Sequence, residues 1–533
     1  MKELLAVVLT FSSCGSVVAQ VSTPTITDQT IDRITRQETE IVASFAAYTP
    51  IAETYLQELR PHGGSLTPYR DQYFLSQAKL GPDVDELPFK GVRKGSSIGH
   101  FAKSNLSAKM EYLPEGFAQM SHPNMWDFDR DHYAFKYTDS EADRDVDCLV
   151  FEVSPLIKYS KQRGMFKGQI WVESKSYTIV RYKGVFTGGN DIKGHYFHFD
   201  SFRSQMQPGL WLPSHVYAEE TDYAYNKVAS VALGHARFRA ETYFWGYGPV
   251  VVDAEPRSQS EPDRASGGQP HTMSSVLLTT GRPQEVRLQT EAENAVTVRL
   301  EQLGLLAAPN ALDRTLEGIM EKLQTANHVR FQPEARCREL LTSRLEFFTV
   351  GHTIVISRGL IDVANDEAIL ASVIALGLAR IELTAPDNLR AYQGNFDPRD
   401  ALVKLNFASP AKSKKKIQEL ATDYIASSPY KNSMPVIREF FGELTRRAAH
   451  IPAIVVANLG DNLLAETVYS WAGTELEMSR SSQDRALPLA IKTRIDPWSD
   501  RIELVATPTN ANSANDNSAF GLAPLFPPRK QQH

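Results

Sequence analysis

Side chains able to do chemistry are sparse and scattered in this sequence. Glu419 and Asp423 stand four apart in Glu419-Leu-Ala-Thr-Asp423, which puts two carboxylates on one helix face as cation ligands or as acids of a solvated surface. His352 lies within the strand-like run Leu345 to Ser357, but no second His or Cys stands at a helix spacing that could join it. His195 and His198 are three apart in a strand-like stretch, where they would point to opposite faces and could not share a metal. There is no Gly-x-Ser-x-Gly elbow and no cysteine-protease signature. Cys148 and Cys337 read as buried thiols rather than as a disulfide framework.

The stretch Asp366 to Leu383 stands apart. Ile369, Leu370, Val373, Ile374, Leu376, Leu378 and Ile381 make it apolar on nearly every side, which predicts a buried helix. It nevertheless carries Arg380, a permanent cation that needs a partner when buried. Glu419, or else Asp423, is the expected partner.

The elements that must position these residues follow from periodicity. Residues 28–60 read as helical, with Ile31, Ile34, Ile41, Val42 and Phe45 on one face and a break at Pro50 before Ile51 to Leu59 continues it. Between about 110 and 250 the text changes to short segments rich in Val, Tyr, Phe and Trp, such as Asp147 to Val153, Gly168 to Glu173, Thr178 to Lys183 and His215 to Tyr217. These predict an antiparallel sheet. Residues 251–282, rich in Ser, Pro, Gly and charge, read as a flexible linker. Helix periods return in Val286 to Leu306 and Leu312 to Leu323, and one strand is expected over Leu345 to Ser357.

The 533 residues suit two or more domains. A net charge of -6 with only short basic runs excludes nucleic acid as an expected partner. Residues 1–20 read as a secretory signal, which places the chain in the periplasm or cell envelope with no transmembrane span after its removal. Phe11-Ser-Ser-Cys14 offers a rival lipoprotein site with a lipid anchor on Cys14. Residues 506–533 read as a disordered tail.

Two resemblances add to this reading. Gly168-Gln-Ile-Trp-Val-Glu-Ser-Lys-Ser-Tyr-Thr-Ile-Val-Arg-Tyr-Lys-Gly184 resembles the hairpin of outer-membrane lipoprotein-sorting proteins of the LolA/LolB type. That likeness implies, for residues 28–250, a curved sheet half-wrapping helices around an apolar cavity for acyl chains, with Trp171, Ile179, Phe199 and Trp211 as its possible lining. The rival reading is that these aromatics form an ordinary sheet core.

The second resemblance lies in Gly351, Ile354 to Ile356, Arg358-Gly-Leu360 and Asp366-Glu-Ala-Ile-Leu-Ala371, which are similar to zinc metallopeptidases of family forty-eight, the HtpX and BepA relatives. In that family the helix carries His-Glu-x-x-His, two zinc ligands and a general base. Leu376, Gly377 and Arg380 occupy those places here, and none can do the work: Leu has no donor atom, Gly no side chain, and Arg repels a cation. The family's third ligand falls at Glu419, with Asp423 one turn on. The resemblance therefore implies a zincin-like, mainly helical domain over 283–505 with zinc lost, Arg380 and Glu419 paired in its place, and Gly377 left by drift.

The whole chain reads as α+β and as a non-catalytic pseudo-metallopeptidase joined to a lipid-binding-like domain. Its expected partners are outer-membrane lipoproteins, lipids or misfolded envelope proteins. The alternatives are a zinc endopeptidase with an atypical site and a lipid or lipoprotein carrier.

Overall fold

The computed structural model describes residues 26–62, 65–81, 84–89, 114–123, 128–143, 145–159, 164–187, 197–220, 237–247, 276–279, 283–364, 366–384, 411–448, 453, 458–460, 493–495 and 502–504. The signal, Cys14, His195, most of the linker and the tail lie outside these residues.

The N-terminal half begins with helix α1 (Asp28–Phe45), started by a capping box in which the Thr27 and Thr30 side chains satisfy each other's backbone N–H groups. Its Ile34, Ile41, Val42 and Phe45 form the buried stripe that periodicity predicts. The expected continuation as helix after Pro50 does not occur. Residues Ile51–His62 form strand β1, and Ser65–Lys79 form β2.

The reason is visible in the burial of β1. Ala52 and Leu56 enter the core beneath α1, while Ile51, Glu53 and Tyr55 are buried on the opposite face. A strand covered on both sides has no alternation of polarity to betray it.

The remaining strands are β3 (Asp85–Pro88), β4 (Tyr133–Asp143), β5 (Val146–Pro155), β6 (Phe166–Glu173), β7 (Ile179–Phe186), β8 (Phe197–Gln207), β9 (Leu210–Glu220) and β10 (Arg237–Trp245). A short helix α2 (Pro114–Ala118) precedes β4. Together they make one ten-stranded sheet in the order β3-β2-β1-β10-β9-β8-β7-β6-β5-β4, antiparallel at every pairing. The β6–β7 hairpin is the one that the sequence shows most sharply.

Strand β11 (Val276–Thr279) falls inside the stretch read as linker and pairs in parallel with β12 (Val329–Gln332). Helices α3 (Pro283–Gln302) and α4 (Ala311–Ala326) follow the helix-period text. A second, three-stranded sheet then forms from β13 (Arg336–Leu340), β14 (Phe347–Val350) and β15 (Thr353–Ser357), in the order β13-β15-β14. The single strand expected over 345–357 is thus a hairpin, because Gly351 takes a positive φ of 57° and turns the chain.

After β15 come α5 (Arg358–Val363), α6 (Glu367–Leu383), α7 (Ala411–Ala426) and α8 (Met434–Ala448). Helices α4, α6, α7 and α8 share a core with one face of the small sheet through Cys337, Phe347, Ile354 and Ile356.

The other face of that sheet joins the N-terminal half. Ile51 and Leu75 from the large sheet pack with Val296 and Leu300 of α3 and with Val350 and Val355 in one continuous apolar cluster. Trp245 Nε1 donates to the Gly304 carbonyl at 2.9 Å. Gly304 has a φ of +78°, and a Cβ there would come within 2.9 Å of the Gly246 Cα, so the backbones meet where no side chain fits. The halves are packed against each other, not merely tethered.

Candidate functional site

Asp366 caps α6 by accepting from the Ala368 N–H at 2.8 Å, and every residue from Ala371 to Ile381 is buried. Leu376 is fully enclosed in the helical core. Gly377 faces β15, where a Cβ would lie 2.7 Å from Ile354 Cδ1 and 2.9 Å from both Cγ atoms. The absence of a side chain therefore lets the helix approach the sheet, which replaces the expectation of drift with a packing reason.

Arg380 lies one turn further along. Its Nη1 donates to the Thr349 hydroxyl at 2.6 Å and to the Thr349 carbonyl at 3.4 Å, and the residue is 2 % exposed. The expected pair with Glu419 does not form.

Helix α7 buries Ile417, Ala421, Tyr424 and Ile425, which turns Glu419 and Asp423 to the outside. The Glu419 side chain is 62 % exposed and stands 3.7 Å from Lys415, an i,i+4 surface contact. What ties α7 to α6 instead is a hydrogen bond from Tyr424 to Glu382.

His352, the nearest imidazole in sequence, is turned away from α6. Its Nδ1 lies 2.9 Å from Oε1 of Glu293 on α3, both residues being buried, and Gln289 donates to the same oxygen at 3.1 Å. Glu293 was not legible as its partner, since nothing in the text links positions 59 apart. Among the described residues no group of three or more His, Cys, Asp or Glu side chains is arranged to hold a metal. Leu376, Gly377 and Arg380 do not fit a zinc ion.

The suggested cavity residues divide between two faces of the large sheet. Ile179 and Phe199 belong to the core beneath α1, where Phe199 packs against Phe166 and Phe186 with ring centroids 6.0 and 5.0 Å away. Trp171 and Trp211 lie on the opposite face with Cys148, Val150 and Val180. There the Arg181 guanidinium sits 4.4 Å over Trp171 and forms a fork of two bonds, at 2.8 and 2.6 Å, to Asp200. Parity separates them, because Ile170 and Val172 flank Trp171 and point to the α1 side. His198 sits on β8, and its partner in the sequence reading, His195, lies outside the described residues. Cys148 and Cys337 are free and buried, and burial lifts the Cys148 thiol to about 11.

The layer beneath α1 contains one ion pair invisible from sequence. Arg203 on β8 donates through both Nη atoms to the Glu38 carboxylate at 2.7 Å each, with both side chains essentially enclosed. It fastens the helix to the sheet.

A second polar cluster lies where the halves meet. Glu53 on β1 accepts from the Ser343 N–H at 2.8 Å and from the hydroxyls of Ser343 and Tyr73. Burial raises the pKa of its carboxyl above the usual range, partly offset by those bonds. Glu346 accepts from the N–H groups of Asn458, Leu459 and Gly460, and Asp71 from that of Ala453 at 3.0 Å.

No family model matches the chain, and no curated protein matches it. Solved structures do show similarity over part of it. A LolA superfamily protein from Nitrosomonas europaea is 12 % identical, covering 40 % of this chain and 91 % of its own, with a TM-score of 0.20. A DUF1329 family protein from Desulfovibrio piger is 11 % identical over 42 % of this chain and 94 % of its own, with a TM-score of 0.22. A domain named for outer membrane lipoprotein sorting, from Vibrio parahaemolyticus, is 10 % identical over 43 % and 96 %, again with a TM-score of 0.22. No helix of the described residues is long and apolar enough to cross a membrane, which says nothing of strands.

Proposed function

We propose that the chain is an exported envelope protein that acts by binding a lipid or an acylated protein, with a C-terminal half that performs no hydrolysis. The observation that carries this reading is the use made of helix α6. The face that would present metal ligands is spent on packing, with Gly377 against Ile354 and Arg380 against Thr349. A helix so placed positions no water and no base.

Binding is assigned to the apolar layer between α1 and the large sheet, where Ile179 and Phe199 lie and where one enclosed ion pair, Glu38 with Arg203, secures the helix. Trp171 and Trp211, on the far face, have no part in it.

The test is to purify the protein under native conditions and measure bound lipid by mass spectrometry beside bound zinc by elemental analysis. Acyl lipid in the wild type, reduced several-fold by Phe199→Asp but not by Trp211→Ala, is the expected result. Stoichiometric zinc together with casein hydrolysis would overturn it in favour of an endopeptidase with an atypical site.

A further inference from the structure

Three buried acids meet where the halves join, and one guanidinium stands among them. Arg344, on the turn before β14, lies 4.6 Å over the Tyr73 ring and in the field of Glu346, Asp71 and Glu53. Glu346 and Asp71 accept from backbone N–H groups, which only an acceptor satisfies: Glu346 from those of Asn458, Leu459 and Gly460, and Asp71 from that of Ala453.

Glu53 is held differently. It forms no ion pair among the described residues, and its Oε2 meets the Ser343 hydroxyl, a group that donates or accepts. With a proton on that oxygen, Glu53 donates to Ser343 Oγ, while its Oε1 still accepts from the Ser343 N–H at 2.8 Å and from the Tyr73 hydroxyl. The neutral carboxyl thus keeps every bond and removes one charge from a buried acidic cluster.

The groups around it are fixed by the sheet. Strand β10 sets Tyr243 beside Glu53, with Glu241 and Arg239 further along the same face, and His215 of β9 stacks on Tyr243 at 4.6 Å. On β1 itself come Tyr55 and Gln57, and Gln57 takes the Arg239 guanidinium at 3.2 and 3.1 Å. Where α3 joins the junction it brings Ala292, Val296 and Leu300, all apolar.

Burial raises the Glu53 carboxyl above its usual range and Glu346 adds to the rise, while the bonds from Ser343 and Tyr73 offset part of it. An open junction, with Glu53 in water, therefore holds the proton less tightly than the closed one. The stability gained is fully present below the usual carboxylate range and is lost as pH rises through the raised value.

We propose that the junction is a proton-sensitive clasp, in which the C-terminal half grips the large sheet more tightly when Glu53 is protonated and loosens when it ionises. The switching contact is that of Glu53 with Ser343, which joins the two halves directly.

Hydrogen exchange of the full chain tests it. Deuterium uptake over residues 341–346 is read by mass spectrometry at about pH 5 and about pH 8, each divided by the rate of an unstructured amide at that pH, and reports how often this turn opens. The expected result is severalfold less protection at the higher pH, with the difference abolished in Glu53→Gln, which keeps the shape and has no proton to lose. Equal protection at both pH values, or the same loss in the variant, overturns the proposal. Should Glu53→Gln not yield folded protein, Tyr73→Phe takes its place. Removing a donor to the carboxylate moves the loss of protection to higher pH, and an unmoved profile overturns the proposal equally.

Discussion

Arg203 and Arg380 are buried to a similar degree in the two halves of the molecule, and their surroundings could hardly differ more. Arg203 meets Glu38 from a helix 165 residues away in sequence and staples α1 to the large sheet. Among the described residues Arg380 hydrogen-bonds only to Thr349 of the small sheet. The first is a two-bond ion pair and the second has no carboxylate partner among the described residues, although the Nε of each arginine lacks an acceptor. The difference teaches that a buried charge is not read by its burial but by whether the fold supplies its counter-charge.

The largest effect that probes this contrast comes from rebuilding a zinc motif. The triple change Leu376→His, Gly377→Glu and Arg380→His forces a side chain into Ile354 and puts polar groups in a closed core. It should remove the cooperative unfolding transition in circular dichroism, at a cost of about 5 kcal/mol or more. A folded triple variant that binds zinc tightly would show that the α6–β15 contact yields.

Next comes Glu38→Ala, which strands Arg203 and should cost about 3–5 kcal/mol in urea unfolding. Adding Arg203→Met to it should restore much of that loss. If the double variant is as unstable as the single one, the pair is not the unit described.

Glu241 gives a pH-dependent probe of the large sheet. It is buried on β10 with a hydrogen bond from Tyr243 at 3.0 Å, and burial pushes its carboxyl up to about 7. Its folded-state pKa lies above its unfolded one. Its contribution is therefore fully present below about pH 4.5 and is lost as pH rises through about 7. Glu241→Gln should flatten the fall in stability between pH 5 and 7.5, and an unchanged slope would assign it to another group.

The smallest effect belongs to Glu419→Ala and Asp423→Ala, each within about 0.5 kcal/mol of wild type, because both acids face water. A loss of several kcal/mol at Glu419 would return it to a partnership with Arg380.

Much of this fold could be read from the text. The helical stripes of α1 and α4, the all-apolar run of α6 and the β6–β7 hairpin follow from the local sequence. Strand β1 escaped because both its faces are covered over Ile51 to Glu58, with Glu53, Thr54, Gln57 and Glu58 buried among the apolar residues, so polarity does not alternate from one face to the other. The β14–β15 turn escaped because only Gly351 marks it. The surroundings of α6 were not legible. The fit of Gly377 to Ile354, the hold of Thr349 on Arg380 and the bond between Glu293 and His352 all join positions that no periodicity connects. The resemblance puts Trp171 and Trp211 in one lining with Ile179 and Phe199, whereas the alternation along β6 sets Trp171 on the face opposite Ile170 and Val172.

The contact between Gly246 and Gly304, with Ser343 on Glu53 and the shared cluster around Ile51 and Val350, bears on how the chain can be divided. Each half completes the other's interior. Cleavage between Gly246 and Pro283 should give two fragments that stay together as a noncovalent complex, and either fragment made alone would expose apolar surface and need its complement to become soluble.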